Sequence, residues 1–331
     1  QRSDLNCVEE ALAYYNLMDD FKLSQEEVSK KVGKERSTVA NFLRILKLPR
    51  TVIELVQKDF PIPKPHEVVI RVEASPINPS DQGVMFGWSN MANAYHEGAG
   101  PKRVLTAPIS DQGMGIMKAR IGQNLPVGNE GAGTVVVTGN SPEAKALMGK
   151  TVSALSGSMY AEYCCIPAMT CLPLLNGNNA KDGASSFVNP LTALSMIETM
   201  KLEGHQALVH TAAASNLGQM LNKICSADKI ALVNIVRRDG LADDLKSKGA
   251  DVVLIDGPDL AKQIAVATDN APIVLALDPV GVDTYGRLAD SLGYGGTLVT
   301  YGVLSGKPAT LNTGQVIFND IRLRGFWLYK W

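Results

Sequence analysis

The stretch that most constrains this chain is Gln206 to Asp239, QALVHTAAASNLGQMLNKICSADKIALVNIVRRD. An apolar run, Ala207 to His210, is short enough for a buried parallel strand. Small residues, Ala212 to Ser215, then lead through Asn216 into a helical pattern on Leu217, Met220, Leu221 and Ile224. A second apolar run, Ile230 to Val236, closes a strand–turn–helix–strand unit. Sequential parallel strands joined by a helix need both faces of their sheet covered, which commits this half of the chain to an α/β architecture.

The turn after the first strand is where a pyrophosphate meets a helix N-terminus. Of the glycine-rich fingerprint only the last glycine, Gly218, is kept, and its missing side chain lets helix approach strand. Ser215 and Asn216 add donors for phosphate oxygens. A crossover without ligand stays open on the turn alone. The end of the second strand narrows the choice. Binding of NAD asks for an acidic residue there. This chain has Arg237 and Arg238, which suit a 2′-phosphate unless they are only a solvated pair, and the expected coenzyme is NADPH.

The chain has 331 residues, 45% of them hydrophobic, with a net charge of −1. That length supports two or three domains, and the charge gives no global attraction to nucleic acid or membrane. No apolar run reaches the ~18 residues of a spanning helix. Five cysteines show no disulfide framework, which fits reduced thiols in a cytoplasmic protein. The opening QRSDLN is neither a signal peptide nor an initiator methionine and suggests a processed or fragmentary sequence.

Residues 1–58 differ in texture. Three helices read out, the first from Asn6 and Glu9 with apolar face Val8, Leu12 and Tyr15. Ser24 with Glu27 opens the second as a capping box, with Val28 and Val32 inward. The third carries Val39, Phe42, Leu43 and Leu46. Ser29 at the crossing and Gly33 at the turn fit a helix-turn-helix, with Arg36, Ser37, Thr38 and Asn41 outward as DNA-reading residues. Residues 22–50 carry +5. A small helical bundle with a solvated basic face is the other reading. Through nearly all of residues 1–58 the stretch resembles the helix-turn-helix region of ParB-type partitioning proteins, which implies a palindromic DNA site. Cys7 departs from the proline usual at that helix start.

A proline-bearing joint, residues 59–66, separates this segment from the remainder. HEVVIRVEAS, PVGNEGAGTVVVTG and KTVSALSGSMYAEYCCIP read as short antiparallel strands, while Gly83 to Asn124 is poorly patterned. A helix near Pro190 to Met200 precedes the strand–helix–strand unit, and strands follow at Asp251–Ile255, Ile273–Leu277 and Thr297–Tyr301. On INPSD, GNEGAG, VNPLTA, DPVG, GGTLVTYG and LRGFWL, the chain from about Pro63 resembles the medium-chain dehydrogenase/reductases. Within them it is similar to the zinc-free quinone and 2-enoyl-thioester reductases. The resemblance implies a GroES-like β-barrel over residues 67–185, a Rossmann doubly wound parallel sheet over 186–331, and an active site in the cleft between them.

Zinc-dependent members place a cysteine and a histidine where this chain has Asn78 and Asn129, so no metal is expected. Without a Lewis acid, an already polarised alkene suits the site better than a ketone. The expected substrates are therefore a quinone, an enone or a 2-enoyl thioester. Asn78 and Ser80 are candidate donors to substrate or nicotinamide and Tyr95 a candidate proton donor, with loop capping the alternative for each. By resemblance Asn129, Asn189, Pro190 and Thr192 lie near the nicotinamide. Ser215, Asn216 and Gly218 hold the pyrophosphate, Tyr301 and Gly302 flank adenine or ribose, and Phe326, Trp327 and Leu328 close the nicotinamide side. His210 reads as core or turn packing.

Two departures from the family set further expectations. The helices occupy the place of an N-terminal barrel strand, and the resemblance stops at Trp331 where the family continues. Both halves read as incomplete, either a natural fusion or two joined fragments without function. An unpaired barrel edge then predicts self-association, with a homodimer allowed, and weak turnover.

Overall fold

The computed structural model describes residues 7–48, 62–100 and 103–331. The chain divides into two compact units, Gln1–Pro76 with Gly122–Ala184 and Ile77–Ile121 with Ser185–Trp331. Asn6 and residues 59–61 of the proline-bearing joint lie outside the described residues, as does the side chain of Glu9.

The first unit begins with α1 (Cys7–Asp20), α2 (Gln25–Val32) and α3 (Arg36–Ile45). Ser24 caps α2 reciprocally with Glu27, whose carboxylate takes the Ser24 N–H at 2.8 Å. Gly33 ends α2 at φ +67°, a left-handed conformation that suits a residue without Cβ. The buried face of α1 corrects the sequence expectation. Val8 is buried, but Leu12 and Tyr15 are exposed, while Cys7, Ala11 and Tyr14 turn inward. Both sets satisfy a 3.6-residue period. The small Ala11 admits close approach, and Tyr14 meets Phe42 edge-on at 5.7 Å, so packing selects the second.

In chain order the strands are β1 Glu67–Ala74, β2 Tyr95–Glu97, β3 Val104–Thr106, β4 Glu130–Thr138, β5 Thr151–Leu155, β6 Tyr163–Pro167 and β7 Cys171–Pro173. They continue with β8 Ala207–His210, β9 Ala231–Val236, β10 Val252–Ile255, β11 Leu275–Asp278, β12 Thr297–Thr300 and β13 Arg322–Gly325. In the first unit the order β6-β1-β4-β5-β7 forms an antiparallel sheet, with bulges in the β1–β4 ladder. Val68, Ile70, Val135, Val152, Met159 and Ile166 fill its core. Cys164 belongs to that core and Cys171 packs against it.

The second unit carries an all-parallel six-stranded sheet, β10-β9-β8-β11-β12-β13. Alternate residues divide between two cores, as a doubly covered sheet requires. Leu208, Leu232, Leu275, Leu277 and Val299 pack under the helices Val188–Leu202 and Asn216–Asp228. Val209, Val233, Ile235, Ala276 and Leu298 pack on the opposite face with Leu260, Ile264, Tyr285 and Leu288. Strand order reverses at β8, with β9 on one side and β11 on the other, which opens a crevice beyond their C-terminal ends.

Strand boundaries shift by one or two residues from the sequence reading. The strand expected from Ile273 starts at Leu275 and runs to Asp278, and the one expected through Tyr301 ends at Thr300. The poorly patterned stretch after Gly83 holds the β2–β3 hairpin and a helix, Asp111–Ile116. Its strands are three residues each with exposed side chains, too short and too open to leave an alternating pattern.

Candidate active site

The helix Asn216–Asp228 starts where β8 ends. Ser215 caps it, its Oγ accepting from the Gly218 N–H at 3.1 Å. The Ala213 N–H donates to the Ile235 carbonyl at 3.2 Å, which holds the turn against β9. A Cβ on Gly218 would sit 2.3 Å from the Ala213 carbonyl oxygen, so the helix lies as near the turn as a bare backbone allows. Ser215 and Asn216 are exposed at a helix start whose N–H groups and dipole favour an anion.

Arg237 and Arg238 follow β9 directly and are exposed. Neither has an ion pair among the described residues, so both remain available to a phosphate. An exposed helix start with two unengaged guanidiniums just past the adjoining strand fits a phosphorylated dinucleotide.

A buried carboxylate anchors the neighbouring strand end. Asp278, closing β11, accepts from the Thr211 hydroxyl and from the Gly281 N–H at 2.7 Å. Burial raises its pKa above the usual carboxylate range. The Tyr301 N–H donates to the Asp278 carbonyl at 3.2 Å, and a Cβ on Gly302 would come within 2.8 Å of Pro279. The loops after β8, β11 and β12 are thus tied together. Sequence reasoning quoted DPVG as a motif but gave neither Asp278 nor Thr211 a role, although a carboxylate at a strand end was the available signal.

Asn78 and Asn189, 111 residues apart, meet at 3.3 Å, the Asn189 amide donating to Asn78 Oδ1. Asn78 is buried at the start of the helix Pro79–Met85, and Asp81 accepts its backbone N–H at 2.8 Å. The capping alternative therefore applies to Asn78 itself. Ser80 is exposed on the same helix, and Tyr95 is exposed on β2, where it pairs with Thr106. No hydrogen bond joins Tyr95 to Asn78 or Asn189 among the described residues.

Thr192 is buried and donates to the Val188 carbonyl at 2.6 Å, so its hydroxyl serves its own helix, while Pro190 is half-buried in the first turn. Phe326 packs against the sheet core. Trp327 is exposed and Leu328 half-buried. Asn129 belongs to the first unit, where its carbonyl accepts from the Ser156 N–H at 3.0 Å. Among the described residues no group of three or more His, Cys, Asp or Glu lies together as metal ligands would.

Residues 3–60 match the ParB HTH domain, and residues 216–331 match the zinc-binding dehydrogenase family. The mouse mitochondrial enoyl-[acyl-carrier-protein] reductase is 31% identical over 246 residues, 69% of this chain and 64% of that protein. The chain thus spans just under two thirds of its relative's length. The Arabidopsis thaliana protein of the same description is 36% identical over 154 residues, 45% of this chain and 41% of its own. A solved Mesorhizobium loti protein described as an NADPH:quinone reductase superposes with a TM-score of 0.63 at 30% identity, covering 82% of this chain and 72% of that one. The Escherichia coli quinone oxidoreductase, solved with NADPH, shares the fold at 20% identity, with a TM-score of 0.61 over 82% of this chain and 76% of its own.

Proposed function

The greater part of this chain belongs to the medium-chain dehydrogenase/reductase family, and on that premise we propose an NADPH-dependent reductase of an activated carbon–carbon double bond that works without metal. In this reading residues 67–185 present the substrate and residues 186–331 hold the coenzyme. The observation that carries it is the pair Arg237–Arg238, exposed and unengaged beside the Ser215-capped turn. Ser215, Asn216 and the helix N–H groups hold the pyrophosphate, and the two arginines hold a 2′-phosphate.

When bound, a reduced nicotinamide supplies a hydride to the β-carbon of an enone, a quinone or a 2-enoyl thioester. The chain supplies orientation and donors. Asn189 and Asn78 fix one another near the nicotinamide position, Phe326 to Leu328 border it, Tyr301 and Gly302 flank the adenine or ribose, and Ser80 and Tyr95 serve the substrate oxygen and the returning proton. The five free cysteines fit a reducing, cytoplasmic setting.

The test is NADPH oxidation offered a short 2-enoyl thioester, a quinone and a saturated ketone, each with and without a chelator. Turnover of the thioester or the quinone, indifferent to chelator and absent with the ketone, is expected. Reduction of the ketone, or activity lost to the chelator, contradicts the reading.

A second function rests on its own observation. Arg36, Ser37 and Asn41 are exposed on α3 behind the left-handed Gly33, with Thr38 half-buried beside them. That is the layout of a DNA-reading helix. A gel shift on palindromic and scrambled duplexes across a salt series tests it. Equal binding to both duplexes removes sequence recognition.

A further inference from the structure

The sheet face under the helices Val188–Leu202 and Asn216–Asp228 is apolar except for a short polar row. His210 and Asn234 are partners in register on β8 and β9, and both are fully buried. The Asn234 amide donates to Asn222 Oδ1 at 3.2 Å and to the Val252 carbonyl at 3.3 Å. His210 Nε2 lies 2.6 Å from the Tyr301 hydroxyl, and the two rings stack nearly parallel with centroids 5.9 Å apart. Among the described residues three buried side-chain polar atoms lack a partner, and two of them are His210 Nδ1 and Asn234 Oδ1. Two such atoms on register-paired neighbours of one face point to a shared solution, since each alone would cost the full desolvation of a polar group.

Counting donors leaves one arrangement that satisfies all four side chains. Burial lowers the pKa of His210 to about 3, so the ring is neutral and carries a single N–H. The Tyr301 hydroxyl has no acceptor other than Nε2 among the described residues, so the phenol donates and Nε2 accepts. The ring proton must then sit on Nδ1, and the unpartnered acceptor on the register neighbour is Asn234 Oδ1. The two atoms do not bond each other directly, and one water, accepting from Nδ1 and donating to Oδ1, would complete the row. Asn222 at its far end lines a cavity of about 320 Å³.

We propose that Asn222, Asn234 and His210 form a buried hydrogen-bonded ladder that locks His210 as the Nδ1–H tautomer and clamps the Tyr301 ring at the coenzyme end of the sheet, making His210 a positioning residue. The inference about the coenzyme rests on the reading in the preceding section; the ladder does not. Tyr301 follows β12 and is tied through its N–H to Asp278, so its ring orientation is the one freedom that His210 removes.

Long-range proton–nitrogen correlation spectra of the full chain read the tautomer directly. The expected result is a protonated Nδ1 and an unprotonated Nε2 on His210; a protonated Nε2 overturns the proposal. Asn234→Leu should lose the single tautomer and weaken NADPH about five- to tenfold. Tyr301→Phe should weaken it similarly, and the double variant should bind no more weakly than either single one. A variant tautomer and affinity both unchanged, or fully additive losses, overturn the clamp. If Asn234→Leu does not fold, the spectrum of the unaltered chain and Tyr301→Phe decide. If the tautomer is as expected but the unaltered chain binds no dinucleotide, the coenzyme reading fails while the ladder stands.

Discussion

The helices of residues 7–48 and the six-stranded sheet of the second unit use the same residue types under different constraints. Each has a glycine that cannot be replaced without consequence. Gly33 stands in open space and is needed for its φ of +67°, whereas Gly218 has ordinary backbone angles and no room for a Cβ. Each has a serine cap, Ser24 on α2 and Ser215 on the helix Asn216–Asp228. In the small helical segment these features set stability, because its core is little more than Val8, Ala11, Tyr14, Val28 and Val39 with half-buried neighbours. In the sheet the same features lie at the strand end proposed to bind the coenzyme. A cap or a turn therefore tells of function only where a strand end lies against it.

The largest contrast comes from the glycines. Gly218→Ala should destabilise the second unit by about 3 kcal/mol, the upper range for overpacking against a backbone that cannot yield. Gly33→Ala should lower helical stability by about 1 kcal/mol through strain alone. Denaturant unfolding of each variant checks the order, and equal effects would erase the distinction.

Acid sharpens the comparison next. His210 is held neutral with a pKa lowered to about 3. An unfolded chain takes up that proton below its ordinary pKa of about 6.5, so stability must fall as pH drops through that value, by about 1.4 kcal/mol per unit. Between pH 6.5 and 5 the loss should approach about 2 kcal/mol. Below that, Asp278 with its raised pKa opposes the trend, while Glu67, Glu73 and Glu203, with lowered ones, add to it. Residues 1–58 contain no histidine, so their unfolding should be flat over the same window. Equilibrium denaturation at several pH values, repeated on His210→Gln, separates the two.

The smallest effect is the cap. Ser24→Ala and Ser215→Ala should each cost about 1 kcal/mol of stability, but only Ser215→Ala should also weaken NADPH. Parallel unfolding and coenzyme titrations would show whether the caps differ in this way.

Legibility in the sequence followed the same division. Periodicity located α1 to α3 and the strand–helix–strand unit. It erred on α1, because spacing alone cannot choose between Leu12 with Tyr15 and Ala11 with Tyr14 when both fit one helical turn. The hairpin of β2 and β3 was hidden because three-residue strands leave no repeat. His210 looked like packing, and it is buried; what the sequence could not show was that its register partner is Asn234 and that Tyr301 reaches it from 91 residues away. Such pairings are set by strand order, which no local pattern carries.

The central proposal is that the second unit selects a dinucleotide bearing a 2′-phosphate through Arg237 and Arg238. Fluorescence titration of the full chain and of the Arg237→Ala, Arg238→Ala double variant with NADPH and NADH tests it most directly. The account predicts tighter binding of NADPH than of NADH by the unaltered chain. It also predicts loss of about tenfold or more in NADPH affinity per arginine removed, with NADH affinity unchanged. Equal affinities in the unaltered chain, or a double variant that binds NADPH as before, would contradict it.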